Sequence, residues 1–145
     1  MNENMELIMH IYKTSEMGVY STTSLIKNLK NRENKIKHVL EMELKEYEDF
    51  LKKSEKILIK NKVEPKSIKL LTKMSSSMGI MMETMKDNSD SSIAEMLIEG
   101  FTMGELEIKT KIEKYKSICE SKYLKIAHNF EKFHSNEIKK LKEFI

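Results

Sequence analysis

Ile11-Tyr12-Lys13-Thr14-Ser15-Glu16-Met17-Gly18-Val19-Tyr20 and Leu97-Ile98-Glu99-Gly100-Phe101-Thr102-Met103-Gly104-Glu105-Leu106 are two passages of one design. Each sets a Met-Gly pair, Met17-Gly18 or Met103-Gly104, inside an amphipathic helical pattern, and the same offset carries Ile26 onto Ile112. Each passage leads into a second amphipathic helix, one holding Glu43 and Glu46, the other Glu131 and His134. The reading is two helical hairpins related by an internal duplication.

Outward from these passages, apolar residues recur three and four apart, the period of a helix with one buried face. The first helix is expected from about Asn4 to Lys30, with Ile8, Tyr12, Ser15, Val19, Thr22, Ile26 and Leu29 on its stripe. Asn31-Arg32-Glu33-Asn34 is a soft break. The second helix is expected from about Glu33 to Lys60 on Leu40, Leu44, Tyr47, Leu51, Ser54 and Leu58, widened by Ile36, Phe50 and Ile57. Glu43 falls inside that stripe and is the acidic residue most expected to be buried.

Asn61-Lys62-Val63-Glu64-Pro65 is the clearest boundary, because proline cannot continue a helix but suits the first turn of the next. A connecting helix is expected over 65–86, with Leu71, Met74, Met78, Met81, Met82 and Met85 on one face. That is core spacing, and methionine is a natural filler of irregular gaps. Ser92 and Glu95, after the turn cluster Asp87-Asn88-Ser89-Asp90-Ser91, have capping-box spacing. A helix is expected from about Ser92 to Ile118 on Ile93, Leu97, Gly100, Gly104, Ile108, Ile112 and Tyr115. Glycine inside a helix costs about 1 kcal/mol relative to alanine. Gly100 and Gly104 on one face are therefore expected to admit a close neighbour. The last helix is expected from about Ser121 to Phe144 on Tyr123, Ala127, Phe130, His134, Glu137, Leu141 and Phe144.

Composition agrees with this plan. A chain of 145 residues is one domain in size, here a single bundle spanning 1–145 with hairpins at 4–60 and 92–144. One proline, four glycines and no tryptophan argue for long helices and against a β-fold. The net charge of +3 arises from 26 basic and 23 acidic residues, interleaved along the chain. Such a surface is solvated, not a nucleic-acid patch, and no aromatic interleaving or recognition motif accompanies the basic runs. A lone Cys119 precludes an intrachain disulfide and fits a reducing cytoplasm. No segment reaches the roughly 18 apolar residues that cross a bilayer, so a soluble, non-exported chain is expected.

Nothing in the sequence carries nucleophilic catalysis: there is no Gly-x-Ser-x-Gly, no cysteine with a placed histidine, and no phosphate-cradling loop. The strongest chemical spacing is Glu131-Lys132-Phe133-His134, whose Glu and His share a helix face. Carboxylate di-iron and di-manganese bundles use two such pairs plus one Glu from each remaining helix. Hard divalent ions take oxygen ligands, and imidazole adds a neutral donor suited to iron, manganese or zinc. His134 and Glu137, also three apart, read as an ordinary side-chain pairing.

In helix order and in these residues the chain resembles the ferritin-like superfamily, in particular its small uncharacterised bacterial members. The resemblance implies an all-α, antiparallel four-helix bundle with an additional connecting helix, five helices in all. It also implies iron or manganese, with Glu16, Glu43, Glu46, Glu131 and His134 as the ligand positions. The pattern is incomplete. The second helix offers Glu43 and Glu46 where a Glu-x-x-His pair would stand, and Thr102 replaces a counterpart of Glu16. The leading expectation is therefore a non-catalytic structural or interaction protein with no resident cofactor. It would self-associate or bind a protein partner, and not nucleic acid or membrane. The alternatives are an iron- or manganese-binding carboxylate bundle or oxidoreductase, and a regulator whose methionine face or central groove takes an apolar ligand or partner helix.

Overall fold

A computed structural model describes residues 1–65 and 87–145. The regular elements among them are four α-helices: α1 (Glu3–Asn28), α2 (Lys37–Lys60), α3 (Asp90–Tyr115) and α4 (Ser121–Lys142). The connecting helix expected over 65–86 lies, apart from Pro65, outside the described residues, and so does its methionine face. None of the described helices is long and apolar enough to cross a membrane.

The caps explain where the helices begin. Asn2 accepts a hydrogen bond from the Met5 amide at 2.9 Å, and Glu3 and Glu6 meet the positive end of α1. Ser89 caps α3, accepting from the Ser92 amide at 3.2 Å. This corrects the expected start at Ser92: Asp87 accepts from the Ser89 amide at 2.7 Å and from the Ser92 hydroxyl at 3.1 Å, so the turn closes earlier. The α2 terminus has no side-chain cap of its own, since Ile36 occupies that place. Asp90 of α3 serves instead. Its carboxylate accepts from the Lys35 amide at 3.1 Å, from the Asn34 side chain at 2.9 Å and from the Ile36 amide at 3.4 Å.

These ties also fix the topology. Asn34 and Asp90 place the starts of α2 and α3 at one end of the bundle. At the opposite end Asn4 donates to Glu120 at 3.0 Å and accepts from the Glu120 amide at 2.9 Å, joining the starts of α1 and α4. Helices α1 and α2 are thus antiparallel, as are α3 and α4, while α2 and α3 point the same way. The chain leaves α2 at one end and enters α3 at the other, a distance of about 36 Å for the 24 residues of α2. Each hairpin packs within itself, and the two meet where α1 lies on α3 and α4, and where α2 lies on α4.

The core follows the expected stripes and exceeds them on α1. Leu7, Ile11 and Leu25 lie off the predicted α1 stripe yet are fully buried, because α1 touches all three other helices. Burying each such side chain contributes about 1.5–3 kcal/mol. The two Met-Gly pairs occupy matching places. A Cβ on Gly18 would collide with the Tyr47 ring, and one on Gly104 would lie 2.7 Å from His134 Nε2. Each glycine therefore receives a large ring from the other helix of its own hairpin. Gly100 departs from expectation: it is exposed, with nothing among the described residues within 4 Å of a Cβ built there, because the buried face of α3 runs through Phe101 and Ile108 instead.

Candidate functional site

The rings that join α2 to α4 set up the most unusual feature of the interior. Phe50 meets Phe130 edge-on at 4.9 Å between centroids, and Tyr47 meets Phe133 edge-on at 4.9 Å. The two helices are antiparallel, so one further turn in the same register brings Glu43 to Glu137. Both are interior, Glu43 at 0% and Glu137 at 1% exposure. Phe101 stacks on Tyr47 at 5.9 Å and meets Phe133 edge-on at 5.7 Å, giving the pair an aromatic wall.

Two ionised carboxylates have only acceptors and cannot bond one another. Counted that way, both oxygens of Glu43 and Oε2 of Glu137 are buried without a partner among the described residues. A proton on Glu43 resolves this by making it a donor to Glu137. Burial, first, then the charge of Glu137 and the hydrogen bond to it, push the Glu43 carboxyl up to about 9, with Lys140 pulling the other way. Lys140 Nζ donates to Glu137 Oε1 at 3.1 Å, and its own side chain reaches solvent. Burial and the two carboxyl charges also raise the Tyr47 phenol, which stays protonated. At neutral pH Glu43 is therefore an uncharged acid.

The two inward histidines are neutral as well. His134 Nδ1 lies 2.7 Å from the Phe130 carbonyl, which can only accept, so Nδ1 carries the proton and Nε2 the lone pair. Burial lowers the pKa of His134, despite that bond and the nearby charge of Glu105. His10 is pulled down to about 4 by burial and by Lys111, His134 and Lys13, and its Nε2 is buried without a partner among the described residues.

The five residues implied as metal ligands are spread apart. Glu43 and His134 point inward. Glu16 is half-buried and accepts the Tyr12 hydroxyl at 2.9 Å, within its own helix. Glu46 is exposed. Glu131 turns toward the surface, 3.9 Å from Lys109 and 3.6 Å from His128. Among the described residues no three His, Cys, Asp or Glu side chains are grouped so as to hold one ion. The ordinary pairing expected of His134 with Glu137 is also replaced: His134 bonds a backbone carbonyl, and Glu137 bonds Lys140 and faces Glu43. Glu137 is the residue that the sequence placed on a buried stripe with only that ordinary pairing as its role. The available signal was that two stripes each carried one acid. No family model, curated protein or solved structure matches this chain.

Proposed function

We propose that the chain is a ferritin-like bundle acting without catalysis, as a structural or interaction protein that associates with a second copy of itself through the outer face of α3. Support for the ferritin-like reading comes from the antiparallel hairpins and from the connection that runs between opposite ends, the single long crossover of that architecture. Support for a non-catalytic role comes from Glu43 and Glu137, which face one another, and from His134, whose Nδ1 faces a backbone carbonyl.

The observation that carries the association is the trio Gly100, Met103 and Leu106. Met103 is 62% and Leu106 67% exposed, and Gly100 has open space above it. An outward glycine weakens its helix by about 1 kcal/mol, and among the described residues no packing offsets that cost. A second helix lying across it would offset that cost. In an antiparallel approach of two α3 helices centred on Met103, each Leu106 meets the Gly100 of the other copy, the reciprocal contact of a two-fold interface. Glu99 and Glu107 flank the contact with like charge, so added salt strengthens association by screening them. Sedimentation velocity over a rising concentration series tests this. A dimer that tightens with salt and disappears in Leu106→Glu is expected, and a strict monomer throughout would overturn the reading.

A further inference from the structure

We propose that the Glu43–Glu137 pair is a proton-held latch between the two hairpins: one shared proton closes the seam of α2 against α4, and its loss in alkali opens that seam. Glu43 belongs to the first hairpin and Glu137 to the second, so any force between them acts across the joint. Both are shut off from water, and one helical turn away the rings of Tyr47 and Phe133 pack on each other and on Phe101. With one proton the contact is a carboxyl donating to a carboxylate, a short charge-assisted bond in a dry setting. Without it, two like charges face each other where water cannot screen them.

The charged and titratable groups that face Glu43 are few. From α4 come Glu137 and Lys140, and from its own helix Tyr47. Among the described residues, α1 and α3 bring it no charge. Lys140 balances one negative charge and leaves a second unanswered. The same lysine is the latch's point of contact with solvent, because its side chain is 45% exposed while the carboxyl it touches is 2% exposed. Neutralising that lysine leaves the pair with no cation and makes it hold its proton more tightly.

The sign of the linkage is definite. The folded chain keeps a proton that unfolded Glu43 releases near 4.5, and gives it up only near 9. Stability from this source is complete below the lower value and declines as pH rises to the upper one. His10 and His134 titrate below their ordinary value of 6.5, so the interval from pH 6.5 to 9 isolates the latch from them.

The test is denaturant unfolding across that interval for the wild type, Glu43→Gln and Lys140→Met, with infrared detection of a protonated carboxyl at pH 7. In the wild type the folding constant should fall about tenfold per pH unit. Glu43→Gln should be flat, because its amide donates to Glu137 without titrating, and should lack the protonated-carboxyl band. Lys140→Met should move the pH at which the native protein loses its proton upward. Equal slopes in wild type and Glu43→Gln, or a carboxyl band unchanged by that substitution, would overturn the latch. Should Glu43→Gln not fold, Glu137→Gln serves instead: it leaves Glu43 buried but removes the facing charge, so the native carboxyl should release its proton at lower pH than in the wild type, and an unchanged release pH would overturn the latch.

Discussion

Gly100 and Gly104 stand one turn apart on α3 and meet opposite surroundings. At Gly104 the nearest obstacle is His134 Nε2 at 2.7 Å, on a ring held by its bond to Phe130 and packed among Phe101, Phe130 and Phe133. That ring has little room to retreat. Gly104→Ala should cost about 1–3 kcal/mol by overpacking. Gly100→Ala meets nothing among the described residues and should gain roughly 0.5–1 kcal/mol by restoring helix propensity. Urea unfolding at low protein concentration checks both, and the same sign for the two would contradict the packing of α3. The sequence assigned both glycines to one face because four residues advance a helix only a little past one turn. Where the edge of a buried face falls depends on how deep the neighbouring helix sits, and local spacing does not encode that. Glu43 was legible for the complementary reason: Leu40, Leu44 and Tyr47 surround it on the stripe, so no modest rotation of α2 takes it to solvent.

At the scale of the helices, the hydrophobic period located all four described elements, with ends displaced by a few residues. The largest displacement is the start of α2, expected at Glu33 and found at Lys37. Its cause is a cap supplied from elsewhere. Asp90 lies more than fifty residues away in sequence, yet it holds Asn34, Lys35 and Ile36 outside the helix. A window on the local sequence sees no cap there and extends the helix to the nearest polar break. The carboxylate answers amides at the α2 terminus that the helix itself cannot satisfy. Asp90→Ala should therefore destabilise the fold by about 1–2 kcal/mol. Hydrogen exchange localises the effect: amides of the first turns of α2 should lose protection well before those around Leu58. Uniform loss of protection along α2 would mean that Asp90 contributes only to global stability.

For the molecule as a whole, the duplicated Met-Gly pattern was the most readable signal, and its physical content is the ring that each glycine admits from its hairpin partner. How one hairpin sits on the other was not readable. That arrangement depends on which polar position of one stripe faces which position of another, and the proposed ligand residues were placed by analogy with a plan in which all four helices converge on one level. Here the meeting point of the hairpins is aromatic, and Phe133 is at its centre. Its ring lies within 6 Å, centroid to centroid, of Tyr47, Phe50, Phe101 and His134, drawing on both hairpins. A Phe→Ala change in such a place removes about 3–5 kcal/mol. Most of that loss falls on the joint, since the contacts inside α1 and α2 do not involve Phe133. The native protein should unfold in one step, with helicity and tyrosine fluorescence changing together. In Phe133→Ala carrying Phe in place of Tyr12, Tyr20, Tyr115 and Tyr123, the tyrosine signal, which then reports Tyr47 at the joint, should change at lower denaturant than helicity, because each hairpin keeps its own α-helical contacts after the two part. Coincident transitions in that variant would show that neither hairpin outlasts the joint, and that the rings hold each hairpin together as much as they hold the pair.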